Sequence, residues 1–183
     1  ILNLYLRSCM LELALGIREM QEMKQTYLAT IVLLERMHRQ FLEVIKSELE
    51  GHDIRDINNV QALILYNIGG DEMTVGELTL RGYYLGSNVS YNVKKMTEHG
   101  YLHQERSSHD RRSVRVKLTE KGLELSRLLE QMFERHVEAV EDSIDEENLG
   151  AANESLRDVE RFWLQQLGFG PRVAEFSRVE TAA

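Results

Sequence analysis

The sequence predicts a mainly α-helical protein with one small β-hairpin. Proline, which interrupts helices, occurs once in 183 residues, at Pro171. Apolar residues recur at intervals of three and four along most of the chain, which is the period of a helix buried on one face. Between Gly100 and Gly122 the pattern changes to two short alternating segments around a charged turn, which is typical of a hairpin. The length suits one domain with an added arm.

The N-terminal segment, residues 1–50, is predicted to be a helical arm. Apolar residues from Leu13 to Ile45 follow helical spacing, and we expect a break near Gly16 or Thr26. A helix of this length needs a second surface to bury its apolar face, and the rest of a chain this short can cover only part of it. We therefore expect the arm to mediate dimerisation.

Residues 51–122 are predicted to form a second lobe, made of short helices and the hairpin. Thr74 and Glu77 fit a capping box, in which each side chain accepts a backbone N–H at a helix start. Gly100 ends the last helix of this lobe before the hairpin begins. The expected elements are helices over 56–68, 75–80 and 87–98 and strands over 101–106 and 113–118.

Residues 123–168 are predicted to add C-terminal dimerisation helices. Thr119 caps a long helix whose apolar positions continue to Ile144, and a last helix follows over 147–167. Residues 169–183 are expected to be a flexible tail.

The charge distribution favours nucleic acid as a partner of the middle lobe. The net charge of −8 would by itself repel a polyanion. Between Thr74 and Gly122, however, nine basic residues stand against five acidic ones, so this block carries +4 and the remainder −12.

Helix 87–98 has the pattern of a DNA-reading helix. If Val89, Val93 and Met96 face inward, a polar face is left outward, where small groups near the N-terminus can meet base edges and lysines can meet phosphates. Followed by a basic hairpin, this arrangement predicts a winged helix-turn-helix. An ordinary solvated face remains an alternative. The outward residues are Ser87, Asn88, Ser90, Tyr91, Lys94 and Lys95.

The run from Asp110 to Gly122 resembles the wing signature of the MarR family of bacterial regulators, an Asp-x-Arg followed by strand residues and a Leu-Thr-x-x-Gly junction. The segments Met73–Leu78 and Met96–Leu102 are similar to the same family. Residues 85–96 and the long arm look most like the LdtR-type branch of alphaproteobacteria.

This resemblance implies homodimers on pseudopalindromic double-stranded DNA, usually repressors that a small ligand or thiol oxidation releases. It also implies that Arg112 enters the minor groove and that Asp110 orients it, with Arg111 and Arg115 as further contacts. A simple surface ion pair is the alternative for Asp110 and Arg112.

A hydrophobic or aromatic effector could bind Met37, Phe41 and Tyr66, although such residues are more often core. Cys9 lies among leucines, where an inert thiol is expected over a redox sensor. His99 and His103 are separated by the helix-ending Gly100, so no metal site is expected. The sequence has no glycine-rich phosphate loop, HExxH or paired-cysteine motif, so no cofactor is expected either.

Two classes of function remain from the residues. The first is a ligand-responsive, DNA-binding regulator, expected to be a repressor; the second is an acidic adaptor that uses its winged helix to bind protein. The wing arginines favour the regulator. We expect no enzyme activity, because neighbouring side chains of Ser108-His109-Asp110 point apart.

The sequence predicts a cytoplasmic location. It has one cysteine and no segment with the pattern of a secretion signal. No apolar stretch is long enough to span a bilayer, so a membrane partner is not expected.

Overall fold

The structure, a computed structural model, describes residues 2–81, 86–106 and 114–168, with side chains over 16–79, 88–105 and 114–168. It confirms a mainly helical fold with a small antiparallel sheet. The expected hairpin turn over 107–113 and the tail over 169–183 lie outside these residues. The elements are α1 Leu2–Gly51, α2 Asn59–Ile68, β1 Met73–Thr74, α3 Val75–Arg81, α4 Gly86–Glu98, β2 Leu102–Arg106, β3 Val114–Leu118, α5 Glu120–Val140 and α6 Glu146–Gln166.

The chain divides into two compact units, Ile1–Val44 and Ile45–Ala183. The described part of the first unit is helical throughout, so the expected break near Gly16 or Thr26 is wrong. Thr26 Oγ1 donates a hydrogen bond to Glu22 O at 3.0 Å, which satisfies the hydroxyl inside the helix. A single glycine costs a helix only about 1 kcal/mol, which is little against a run of helix formers.

One hydrophobic core holds the second unit together. It takes side chains from every element between the end of α1 and the first half of α5. Ile45 and Leu49, which the sequence assigned to the arm, are 0% and 2% exposed in this core. Leu129 of α5 is fully buried there as well. The dimerisation roles assigned to 1–50 and 123–168 stay predictions.

Helix α2 begins at Asn59 rather than at Asp56. Asn58 caps it: Gln61 N donates to Asn58 Oδ1 at 2.9 Å, and Asn58 N donates to Gln61 Oε1 at 3.1 Å. This reciprocal pair satisfies two backbone donors at the helix start and therefore fixes the boundary. Asp56 is left outside the helix, where its carboxylate has other partners.

The sheet has the order β1-β3-β2, with antiparallel pairing throughout. Strands β2 and β3 confirm the predicted hairpin, with Leu102 opposite Leu118 and Arg106 opposite Val114. The two-residue strand β1 was not predicted; it pairs Met73 with Val116.

The caps of the later helices explain their boundaries. Thr74 N donates to Glu77 Oε2 at 2.6 Å and Glu77 N to Thr74 Oγ1 at 3.1 Å, which confirms the capping box. Thr119 caps α5 as predicted, through Gly122 N at 3.2 Å. Helix α5 ends at Val140, so Ile144 lies in the following turn and not on α5. Asp145 then caps α6.

Candidate nucleic-acid interface

Helix α4 has one buried and one exposed face. Val89, Val93 and Met96 are 0%, 1% and 1% exposed, which confirms their predicted inward orientation. Asn88, Ser90, Tyr91 and Lys94 are exposed on the other face, and Tyr91 is 61% exposed, a large fraction for an aromatic ring. The side chain of Ser87 lies outside the described residues. The structure thus presents the polar groups that the sequence assigned to base edges.

A hydrogen bond from α2 holds the middle of α4. Gln61 Nε2 donates to Asn92 Oδ1 at 3.1 Å, while Gln61 Oε1 serves the cap of α2. Gln61 is buried, with 7% of its surface exposed. Because buried amides need partners, this bond opposes rotation of α4 about its axis. Neither Gln61 nor Asn92 was predicted from the sequence, because the two lie 31 positions apart and no local pattern pairs them.

The C-terminal end of α4 is attached to α5 through Asp56. The Asp56 carboxylate accepts hydrogen bonds from Tyr101 Oη at 2.7 Å and from Lys121 Nζ at 2.6 Å. Lys121 Nζ also lies 4.0 Å from the centre of the Tyr101 ring and donates to His99 O at 3.1 Å. His99 Nδ1 contacts Asp56 O. These contacts fix the chain where α4 ends and β2 begins.

This cluster shifts the acidity of two of its members. Burial alone would raise the pKa of Asp56, but hydrogen bonds from Lys121 and Tyr101 and the positive charge of Lys121 lower it below 3.8. Burial and the hydrogen bond to Asp56 raise the pKa of Tyr101. Both shifts favour the charged carboxylate and the neutral phenol, which are the forms that the hydrogen bonds require.

The described cations of the predicted interface are paired with carboxylates. Lys95 Nζ lies 2.8 Å from Glu98 Oε2, and Lys94 Nζ lies 3.9 Å from Glu98 Oε1. The hydrogen bond to Glu98 raises the pKa of Lys95. Arg115 on β3 lies opposite Glu105 of β2, and its Nε is 3.2 Å from Glu72 Oε1. Asp110, Arg111 and Arg112 lie outside the described residues.

The residues predicted to bind an effector do not share a unit. Met37 and Phe41 lie one turn apart on α1, 52% and 37% exposed. Tyr66 lies on α2 in the second unit, where its hydroxyl donates to Glu130 Oε2 at 2.7 Å and its ring meets Phe133 edge-on at 4.9 Å. Burial and Glu130 raise the pKa of Tyr66 to about 12.

The remaining sequence candidates have ordinary surroundings or fall outside the description. His103 Nε2 pairs with Glu105 at 2.9 Å, and no group of metal-ligating side chains occurs in the part of the chain that is described. The side chain of Cys9 is not among the described ones. No helix within the described ranges combines the length and apolar content needed to cross a bilayer.

Two consecutive short helices followed by a hairpin, whose strands join β1 in a three-stranded sheet, define a winged-helix DNA-binding domain. Residues 57–122 match the family model described as the winged helix DNA-binding domain. The chain is 35% identical over 146 residues to the exopolysaccharide II synthesis transcriptional activator ExpG of Rhizobium meliloti (strain 1021), across 79% of this chain and 75% of that protein.

Solved structures share the fold. Streptococcus pneumoniae FabT in complex with DNA has a TM-score of 0.63 at 24% identity, covering 77% of this chain and 99% of that one. A MarR transcriptional regulator from Methanosarcina mazei Go1 has a TM-score of 0.58 at 22% identity, covering 72% and 93%. The relative at 35% identity and the matched domain show that the chain belongs to the winged-helix, DNA-binding transcriptional regulators, and its fold is that of MarR regulators. Its closer likeness to the LdtR-type branch stays a prediction.

Proposed function

We propose that the protein is a homodimer that binds a pseudopalindromic operator, with α4 in the major groove and the wing reaching toward the minor groove. The observation that carries this proposal is the division of α4 into a buried apolar face and an exposed face bearing Asn88, Ser90 and Tyr91. Amide and hydroxyl groups near the start of such a helix are suited to base edges, and Lys94 and Lys95 further along are suited to phosphates. FabT, whose fold is similar, was solved with DNA.

Exposed apolar side chains support the homodimer. Large contiguous apolar surface on a monomer marks an interaction site. On α1, Met20, Met23 and Val32 are 72%, 70% and 60% exposed; on the second unit, Leu149 and Phe162 of α6 are 43% and 48% exposed. A second copy of the chain would cover both sets symmetrically, as a two-fold interface requires.

The direction of control has two candidates. The resemblance to the MarR family implies a repressor. The relative at 35% identity is named a transcriptional activator, which favours activation. Both begin with the same operator binding, and they differ in where the operator lies relative to the promoter.

Release by a small hydrophobic or aromatic effector is part of the proposal. What supports it is Tyr66, whose ring packs against Phe133. Phe133, with Val137 and Val140, lines an open apolar groove of about 480 Å³ on α5. Its apolar side chains are of the kind that a small hydrophobic ligand contacts. Met37 and Phe41 stay predicted contacts.

The experiment that tests operator binding compares DNA from upstream of the protein's own gene with a shuffled duplex of equal length. The wild type should prefer the upstream DNA. Tyr91→Ala should reduce that preference, because Tyr91 is assigned to base edges. Lys95→Ala should weaken binding to both duplexes alike and lower the salt slope by about one unit per subunit.

Arg55→Ala, which removes a positive charge from an exposed ion pair between α1 and α2, is the matched control and should bind as the wild type does. Equal affinity of the wild type for both duplexes would contradict the proposed function. Failure to bind either duplex would favour the protein-binding adaptor instead.

A further inference from the structure

Each positively charged side chain that belongs to the predicted DNA interface and is described lies beside a carboxylate of the same chain. The Glu98 carboxylate lies beside both lysines of α4: its Oε2 is 2.8 Å from Lys95 Nζ and its Oε1 is 3.9 Å from Lys94 Nζ. Glu72 Oε1 lies 3.2 Å from Arg115 Nε. At 2.8 Å from Lys95 and 3.2 Å from Arg115, these carboxylate oxygens offer the cations the same charge-assisted hydrogen bond that a DNA phosphate oxygen would offer.

Helix stability does not account for the position of Glu98. It is the last residue of α4, where the negative end of the helix dipole disfavours an acid. The pair with Lys95, at three residues' spacing and with both side chains about 40% exposed, offsets this by a contribution of similar size. The hydrogen bond from Lys95 and the nearby positive charges lower the pKa of Glu98, so the fold favours its charged form. Because the pair is exposed, its contribution to folding is small, whereas the carboxylate changes the charge of the surface assigned to DNA by a full unit.

We propose that Glu98 acts as an internal substitute for a DNA phosphate and thereby lowers the sequence-independent part of the protein's affinity for DNA. This inference rests on the proposed placement of α4 in the major groove. Binding of the lysines to phosphate must either displace Glu98 or bring it close to the DNA backbone. Either event reduces the gain from the phosphate contact and the number of counterions released.

Glu98 leaves the base-reading groups untouched. Asn88 and Tyr91 lie ten and seven positions earlier on α4, nearer its N-terminus. Base contacts therefore keep their full contribution while phosphate contacts are weakened, so sequence contributes a larger share of the binding free energy. Glu72 has the same relation to Arg115 on the wing.

The test measures the affinities of the full chain for two labelled duplexes of about 30 base pairs, long enough for two half-sites one turn apart. One duplex is the upstream DNA and the other its shuffled sequence. The variants are Glu98→Gln and Glu72→Gln. Glu124→Gln, at an exposed position on α5, makes the same charge change away from the predicted interface and is the matched control.

Glu98→Gln should bind both duplexes more tightly by the same factor, about fivefold or more at low salt. The slope of log affinity against log salt should steepen by up to about 0.9 per subunit. Glu72→Gln should shift both quantities in the same direction and Glu124→Gln should shift neither. Thermal unfolding of Glu98→Gln should match the wild type.

Affinities and slopes of Glu98→Gln equal to those of Glu124→Gln would overturn the inference, as would tighter binding to the upstream duplex alone. The proposed function fails separately. If the wild type binds both duplexes equally while Glu98→Gln tightens both, sequence-specific recognition is contradicted and the role of Glu98 stands. Absence of binding to either duplex, in wild type and variant alike, would overturn both.

Discussion

Gly122 lies near the start of α5, directly against the chain that leaves α4. A Cβ at this position would be 2.4 Å from Tyr101 O and 3.3 Å from Leu118 Cβ. Tyr101 O is held in place because it accepts the Thr119 N–H at 3.0 Å. The glycine of the Leu-Thr-x-x-Gly junction is therefore a steric requirement for joining the wing to α5.

Gly122→Ala should lower the free energy of unfolding by about 3 kcal/mol, since the backbone must move to admit the methyl group. Gly150→Ala on α6, where nothing lies within 4 Å of the added Cβ, should instead stabilise by up to about 1 kcal/mol through helix propensity. Urea unfolding measures both. Equal stabilities of Gly122→Ala and the wild type would refute the steric argument.

The sequence predicts the position of some interface residues and not the contacts of others. Val89, Val93 and Met96 follow from local spacing alone, because a helix repeats every three to four residues. Asp56 could not be predicted, since its partners Tyr101 and Lys121 are 45 and 65 positions away. No local pattern encodes such pairs; only the tertiary fold brings them together.

Among the elements, α1 and β1 show where local reasoning fails. Threonine often lies at helix ends, but Thr26 stays inside α1 because its hydroxyl donates a hydrogen bond to a backbone oxygen of the same helix. Strand β1 is two residues long, too short for an alternating pattern, and it exists because Met73 pairs with Val116 of a distant strand. Capped helices, by contrast, were predicted to within a few residues, because Thr74 and Thr119 are local signals.

The attachment of α4 to α5 through Asp56 should make stability depend on pH. The folded pKa of Asp56 is lowered, so its contribution is present above the unfolded value of about 3.9 and is lost as pH falls through the folded pKa. With Asp56 and Lys121 each 46% exposed, we expect less than about 1 kcal/mol.

Unfolding free energies measured between neutral pH and about pH 3 should therefore fall less in Asp56→Asn than in the wild type. Asp71→Asn, at an exposed position before β1, serves as the control. The assignment is refuted by identical pH dependence in Asp56→Asn and the wild type.

Removal of the arm segment before Thr26 should weaken the dimer sharply. It takes away Ile17, Met20 and Met23, whose side chains are 51%, 72% and 70% exposed on α1. Burial of such surface is the main favourable term in association. Sedimentation of the truncated and full chains measures the change, and a full chain that stays monomeric and folded at micromolar concentration would contradict the homodimer.

For the whole molecule, the uneven charge distribution is the feature that the sequence predicts best. A +4 block embedded in a chain of net charge −8 identifies the DNA-binding lobe without any structure. Effector binding and dimerisation cannot be derived from a charge pattern in this way, because both depend on surfaces that separate elements form together in the fold. They rest on exposed apolar side chains and stay proposals.

Release of DNA by a bound effector and release by oxidation of Cys9 predict opposite responses to peroxide. A dimer must hold its recognition helices about 34 Å apart, so a ligand favouring another spacing by about 3 kcal/mol would reduce DNA affinity about a hundredfold. We expect a hydrophobic or aromatic anion to release DNA and mild peroxide to have no effect. If peroxide releases the wild type but not Cys9→Ser, the cysteine is the sensor and the effector proposal is wrong.

The central claim, a dimeric winged-helix protein on a two-fold operator, is tested most directly by hydroxyl-radical footprinting of the DNA upstream of its own gene. The predicted result is two protected segments of related, inverted sequence whose centres lie about 10 base pairs, one helical turn, apart. Asn88→Ala and Tyr91→Ala should weaken protection of both segments together. A single protected segment, or protection that spreads evenly along the DNA, would contradict the account.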